Sequence, residues 1–231
     1  MLDIVAEAPD AVTLRLELEE TASFLAGQYY NVRMSIPGRE MPVQRAYSVG
    51  SSPIPPSSII EIGVREVTGG LISPRLVGRV AVGDLVEVRG PVGRFTWTVE
   101  DGGPVLLIGA GSGVVPLMSI IRYAAASECG IPIRLVCSAS SFAYAFYHDD
   151  LDELTRRHSW LDVTHTFTRD SLDPRATHHR RIDRAMVADA VSGQHPRRTY
   201  LCGPPAMVEN VQEWLDELGI DPTSVRTEKY D

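Results

Sequence analysis

The chain has 231 residues, 44% of them apolar and 23% charged, which suits one large globular domain or two small ones and excludes wholesale disorder. Its net charge of −8 disfavours a nucleic-acid partner, because a phosphate backbone needs a cationic face. No run of about 18 or more apolar residues is present, so no membrane span is expected.

From residue 1 to about residue 100 the chain alternates as strands do. Val12 to Glu19 is a period-two run, Ile60 to Arg65 is another, and Tyr30 to Ile36 and Leu85 to Arg89 are shorter ones. Glycine and proline clusters separate them at spacings that suit an antiparallel Greek-key barrel. A short helix is expected near Ser73-Pro74, with the serine as N-cap and the proline in the first turn.

Asp101-Gly102-Gly103-Pro104 reads as a joint, and the pattern changes behind it. Val105 to Ile108 is a continuous apolar run, as in a strand buried on both faces. Further strands are expected at Ile133 to Cys137, Val163 to Phe167, Thr199 to Cys202 and Val225 to Thr227. Helices are expected between them at Pro116 to Ala126, Asp149 to Arg157, Ile182 to Val191 and Pro205 to Leu218. Strands interleaved with helices imply a doubly wound parallel sheet. The chain thus divides into an all-β domain over residues 1–100 and an α/β domain over residues 101–231. The three cysteines, Cys129, Cys137 and Cys202, are odd in number and form no CxxC pair. They argue for a reducing compartment, expected to be the cytoplasm, and are too few for the four-thiolate iron–sulfur cluster of plant type. The N-terminus shows no basic-then-apolar export signal.

Four segments carry candidate chemistry. Arg45-Ala46-Tyr47-Ser48 closes a strand. Its guanidinium suits a diphosphate, its tyrosine a flat ring and its hydroxyl a ring nitrogen, although a surface strand has uses for the same residues. Gly69-Gly70-Leu71-Ile72-Ser73-Pro74 combines close backbone approach with a helix start, either as an anion site or as a plain capped turn. Gly109-Ala110-Gly111-Ser112-Gly113-Val114-Val115-Pro116 sits at the first strand-to-helix turn of the α/β half. There a dinucleotide phosphate can meet the helix dipole. It lacks the last glycine of G-x-G-x-x-G, and the second strand ends in Ser138 and Ser140 rather than an acidic residue, so a standard dinucleotide fingerprint is absent. Cys202-Gly203-Pro204-Pro205-Ala206-Met207 joins a strand to a helix. An isolated cysteine there would pack as a small apolar residue.

Taken in order, these segments resemble the ferredoxin–NADP reductase superfamily across nearly the whole chain. Arg45 to Ser48 resembles its R-x-Y-S/T motif, Gly70 to Ser73 its G-x-x-S motif, Gly27-Gln28-Tyr29 its G-Q-Y/F segment and Cys202 to Met207 its C-G-P-x-x-M motif. The Gly111, Gly113 and Pro116 turn resembles the superfamily's glycine–proline signature, and Glu228 with Tyr230 its acidic and aromatic end, here followed by one more residue, Asp231.

The resemblance implies a FAD-dependent oxidoreductase that takes a hydride from NADH or NADPH and passes electrons to a separate acceptor. It implies that Arg45 and Ala46 hold the FAD diphosphate, that Tyr47 packs on the flavin and that Ser48 lies near its N5. Val64 and Arg65 would line the flavin, and Gly69, Gly70, Leu71, Ile72 and Ser73 would hold phosphate. Gly111, Ser112 and Gly113 would meet the nicotinamide nucleotide. Cys202, Gly203 and Pro204 would place its reactive carbon, with Ser48, Cys202 and Glu228 as catalytic groups and Tyr230 over the ring. A 2′-phosphate would be met by Arg169 or by the cluster His178-His179-Arg180-Arg181 with Arg184, which also suits an acidic acceptor or a solvated face. FMN in place of FAD, a subunit of a larger oxygenase or redox complex with little activity alone, and a non-enzymatic nucleotide-binding module are the alternatives. The acceptor would be an iron–sulfur protein, a haem protein or a small molecule.

Overall fold

Residues 1–193 and 195–230 are described here from a computed structural model. In the first half, β1 (Asp3–Ala8) and β5 (Ser57–Arg65) flank β2 (Ala11–Ala22), giving a three-stranded antiparallel sheet. β4 (Val43–Ser48) and β6 (Glu87–Val92) flank β3 (Tyr29–Met34) in a second. The sheets join where Val49 bridges Ile62, so β5 returns beside β2 across the β3–β4 hairpin in a Greek-key connection. Alternation fixes the register: Val12, Leu14 and Leu16 stand opposite Val64, Ile62 and Ile60 and fill the core together with Val32 and Val49. β1 escaped the pattern because it is an edge strand with most of its side chains partly or fully exposed.

The short helix α1 (Ser73–Gly78) plugs this core with Ile72 and Leu76. Ser73 is not its N-cap. It is already helical, and its Oγ instead accepts from the Val67 amide at 3.0 Å, closing the turn through the two glycines.

In the second half a parallel sheet has the order β11-β10-β7-β8-β9, from β7 (Val105–Ala110), β8 (Ile133–Ala139), β9 (Leu161–Phe167), β10 (Arg198–Gly203) and β11 (Val225–Lys229). Its side chains divide by parity. Leu107, Leu135 and Tyr200 pack under α2 (Val114–Ala126) and α3 (His148–Arg157). Leu106, Ile108, Val136 and Leu201 pack under α4 (Arg184–Val191) and α5 (Pro205–Glu217). The continuous apolar run of β7 follows from this two-sided burial. α4 begins two residues later than its apolar pattern suggests, because Asp183 caps it by accepting from the Met186 amide at 2.9 Å.

One core spans the junction of the halves. Trp97 is fully buried, donates from Nε1 to the Gly102 carbonyl at 3.0 Å and stands edge-on to Tyr123. Phe95 meets Tyr200 edge-on, and the Tyr200 hydroxyl donates to the Thr96 carbonyl at 2.8 Å. Polar contacts brace the other side: Arg122 of α2 donates to the Gly50 carbonyl and pairs with Glu61, and the Tyr147 amide donates to Glu7 at 3.0 Å. The space left between the halves is therefore held by packing from both.

Candidate active site

That space is a cleft of about 910 Å³, within the range of small-molecule and cofactor sites. Its walls are the exposed edge of β4, the end of β5, the Val67 to Ser73 turn and the C-terminal ends of β10 and β11. Ligands of open α/β sheets bind at this carboxyl edge. Fourteen of the residues given a role in the sequence meet here, Arg45, Ala46, Tyr47, Ser48, Arg65, Gly69, Gly70, Leu71, Ile72, Ser73, Ser112, Cys202, Glu228 and Tyr230, together with Tyr29 of the Gly27-Gln28-Tyr29 segment.

The barrel side carries groups suited to an anion. Arg45 donates to its neighbour's carbonyl, that of Gln44, at 2.8 Å and has no carboxylate partner among the described residues. The amides of Leu71 and Ile72 make no hydrogen bond within the described residues. A Cβ on Gly70 would lie 2.8 Å from the Val67 carbonyl oxygen and 3.0 Å from Ser73 Oγ, so the turn closes this tightly only around glycine. Burial pushes the Tyr47 hydroxyl up to about 12, so it stays a neutral flat surface at working pH. Arg65 is already engaged: it lies near Asp10, donates to the Tyr144 carbonyl at 2.8 Å and stacks over Phe146.

The α/β side carries the titratable groups. Parallel register sets Cys202 of β10 beside Glu228 of β11. Cys202 is 2% exposed, and burial, reinforced by Glu228, pushes its thiol well above the ordinary range. Burial alone raises the Glu228 carboxyl to about 7. The next residue, Lys229, pairs outward with Glu209 at 2.9 Å. The Tyr230 hydroxyl donates to the Ala110 carbonyl and accepts from the Gly113 amide, tying the end of the chain to the glycine turn.

Six of the singled-out residues lie outside the cleft. Val64 has its side chain in the barrel core, because strand parity gives the cleft Gly63 and Arg65 and turns Val64 inward. Gly111 faces a small separate hollow beside Cys137 and His165. Gly113 packs behind the cleft wall against the Cys202 carbonyl, and Gly203 and Pro204 lie beyond that wall. Arg169 is exposed past the end of β9, where its amide donates to the Ser140 carbonyl at 2.8 Å. The nearby basic cluster is largely neutralised, with Arg180 on Asp183 and Arg184 on Glu217.

Arg39, Gly63, Val67 and Lys229, to which the motifs assign no role, also line the cleft, as does Val115 of the glycine-turn segment. Val115 arrives on the first turn of α2, directly behind the glycine turn. Arg39 was legible: Ile36-Pro37-Gly38-Arg39 is a turn signature beside the tetrapeptide.

Two family models match the chain, the oxidoreductase FAD-binding domain over residues 3–97 and the oxidoreductase NAD-binding domain over residues 107–213. The reductase subunit of an aromatic O-demethylase from Amycolatopsis sp. is 31% identical, with 100% of this chain and 68% of that protein covered. The reductase component of propane 2-monooxygenase from Mycolicibacterium goodii is 31% identical over 94% of this chain and 62% of that protein. The crystal structure of an Amycolatopsis cytochrome P450 reductase superposes with a TM-score of 0.84 at 29% identity, covering 99% of this chain and 67% of that one. The chain spans about half to two thirds of the length of the curated relatives it matches.

Proposed function

This chain belongs to the ferredoxin–NADP reductase superfamily, and we propose that it transfers a hydride from NADH or NADPH to FAD held in the cleft and passes the electrons to a separate acceptor. One observation carries the reading. Among the described residues, an arginine without a carboxylate partner, a glycine turn with unbonded amides, and a cysteine–glutamate–tyrosine group converge on one cleft from both halves of the chain.

The residues present fit a flavin dinucleotide. Arg45 and the amides of Leu71 and Ile72 offer a positive charge and hydrogen-bond donors to a diphosphate. Tyr47 offers a neutral face and Ser48 a hydroxyl to the ring. We assign residues 1–100 as the FAD-binding domain and residues 101–231 as the NAD(P)-binding domain. Bound FAD supplies an acceptor that takes two electrons together and releases them singly, while the protein binds, orients and excludes water.

On the nicotinamide side, Cys202 presents a small, uncharged thiol that admits a flat ring. Glu228 holds or yields a proton near pH 7 beside it. Tyr230 lines the cleft, with its hydroxyl held by Ala110 and Gly113. The working place of the protein is the cytoplasm, consistent with three unpaired cysteines, and no helix among the described residues is long and apolar enough to cross a membrane.

A visible spectrum of the purified protein, followed by anaerobic addition of NADH and NADPH in turn, tests this. Bound flavin that bleaches with one or both nucleotides is expected; absence of flavin, or flavin that neither reduces, overturns the proposal. Replacing Cys202 with leucine crowds the ring-facing wall. It is expected to slow bleaching about tenfold while flavin content is unchanged, the effect of about 1–3 kcal/mol of overpacking. An unchanged rate would remove Cys202 from its role.

A second reading is favoured by the relatives, which are a reductase component of a monooxygenase and a reductase subunit of a demethylase. On that reading the chain delivers electrons to an iron–sulfur or haem protein and turns over slowly without it. Co-purification of such a partner supports it.

A further inference from the structure

Arg39 lines the same cleft as Arg45, and nothing in the reaction described so far uses it. It sits on the loop between β3 and β4, and that loop is built to present it. Ile36 is buried and anchors the turn. Pro37 fixes the first central position, and Gly38 takes the second with φ of +80°. The Arg39 amide then donates to the Ile36 carbonyl at 3.0 Å. This is the chemistry of a type II turn, which needs glycine at that place and favours proline before it. The guanidinium itself is exposed and, like that of Arg45, meets no carboxylate among the described residues.

Position along β4 gives this cation a meaning. Running outward from the junction of the halves, the strand passes Ser48, then Tyr47, then Arg45, and reaches the loop that carries Arg39. At about 3.3 Å per residue, Arg45 stands about 10 Å from Ser48 and Arg39 beyond it. A flavin mononucleotide ends at its single phosphate. The dinucleotide continues to a second phosphate and an adenosine, which carry a further charge and a flat base that an arginine can pair with or stack on.

We propose that Arg39 is the residue that selects the dinucleotide FAD over FMN, by adding its charge to that of Arg45 at the outer phosphate and adenosine half. The inference rests on the reading of the cleft as a flavin site.

Titration of flavin-stripped protein with FAD and with FMN, read by quenching of flavin fluorescence, tests it without turnover. The wild type is expected to bind FAD more tightly than FMN. Arg39→Ala is expected to weaken FAD about tenfold, the lower end of what a charge-assisted hydrogen bond supplies, and to leave FMN unchanged. Arg45→Ala is expected to weaken both flavins. Arg39→Lys should recover part of the FAD affinity, and added salt should narrow the gap between the flavins, since the charge is exposed. Arg39 lies on a surface turn, so the melting temperature of the alanine variant should match wild type and separate lost binding from lost fold. Wild-type protein with no preference for FAD, or an Arg39→Ala variant that weakens both flavins equally or neither, overturns the selector while leaving the flavin site standing. Wild-type protein that binds neither flavin overturns the site itself.

Discussion

A Gly113→Ala variant is expected to reduce its flavin with nicotinamide about a hundredfold more slowly than wild type, the scale that a displacement of about 1 Å imposes on an oriented reaction. It is also expected to lose about 3 kcal/mol of stability, the upper end of overpacking costs. Gly113 has φ of −65° and ψ of −10°, an ordinary helical conformation, so alanine meets no backbone penalty. The obstacle is space. A Cβ there would lie 2.1 Å from the Cys202 carbonyl oxygen, 2.6 Å from its carbonyl carbon and 2.8 Å from the Tyr230 hydroxyl. β10 has little room to yield, because it is hydrogen-bonded to β7 on one side and β11 on the other. The turn and the start of α2 must move instead. α2 carries Val115 into the cleft and Ser119 and Arg122 onto the barrel, where they bond to the Ser51 and Gly50 carbonyls. The shift therefore reaches the cleft wall and the junction of the halves together. Thermal unfolding and rapid-mixing reduction measure the two effects, and wild-type values in both would show that the turn and β10 are not locked as described.

The same contact shows what the sequence made legible. Gly111-Ser112-Gly113 was readable as a nucleotide turn from its place between an apolar strand and a helix. Its partner was not, because the carbonyl of Cys202 is about ninety residues away and only the parallel pairing of β7 with β10 brings it there. Arg45 to Ser48 and Gly69 to Ser73 were readable for a related reason: each packs several functional groups into a short local pattern, and both do line the cleft. Val64 shows the limit of such transfer. A strand offers alternate residues to alternate faces, and a motif that names two neighbours does not say which one faces the ligand. Parity settles it, since Ile60, Ile62 and Val64 share the buried face. Arg39 and Val115 lie off the strands, so alternation carries no signal for them: Arg39 is marked only by its turn, and Val115 reaches the cleft through the packing of α2.

Glu228→Gln is expected to gain up to about 3 kcal/mol over wild type at neutral to mildly alkaline pH in the flavin-free protein, and to gain nothing in acid. The sign follows from burial. The carboxyl moves from 4.5 in the unfolded chain to about 7 in the fold, and each pH unit of that gap is worth about 1.36 kcal/mol. Below pH 4.5 both states are protonated, and the wild-type side chain carries no penalty. Between 4.5 and about 7 the unfolded chain gives up its proton while the folded chain keeps it, so stability drains away as pH rises. Above about 7 both are ionised and the full cost remains. Glutamine, neutral throughout, avoids it. Melting temperatures of the two proteins should therefore coincide in acid and separate through this window; parallel curves would mean the carboxyl is solvated.

A carboxyl that weakens the fold at working pH, in a cleft and beside Cys202, is where the proposed chemistry calls for a proton-handling group. Wild-type flavin reduction should accordingly show an inflection near pH 7 that the glutamine variant lacks. If glutamine stabilises the protein and leaves the rate and its pH profile untouched, Glu228 shapes the pocket and handles no proton. If it stabilises the protein, slows reduction and flattens the profile, the stability forgone above pH 7 and the proton held beside Cys202 are two readings of one buried carboxyl.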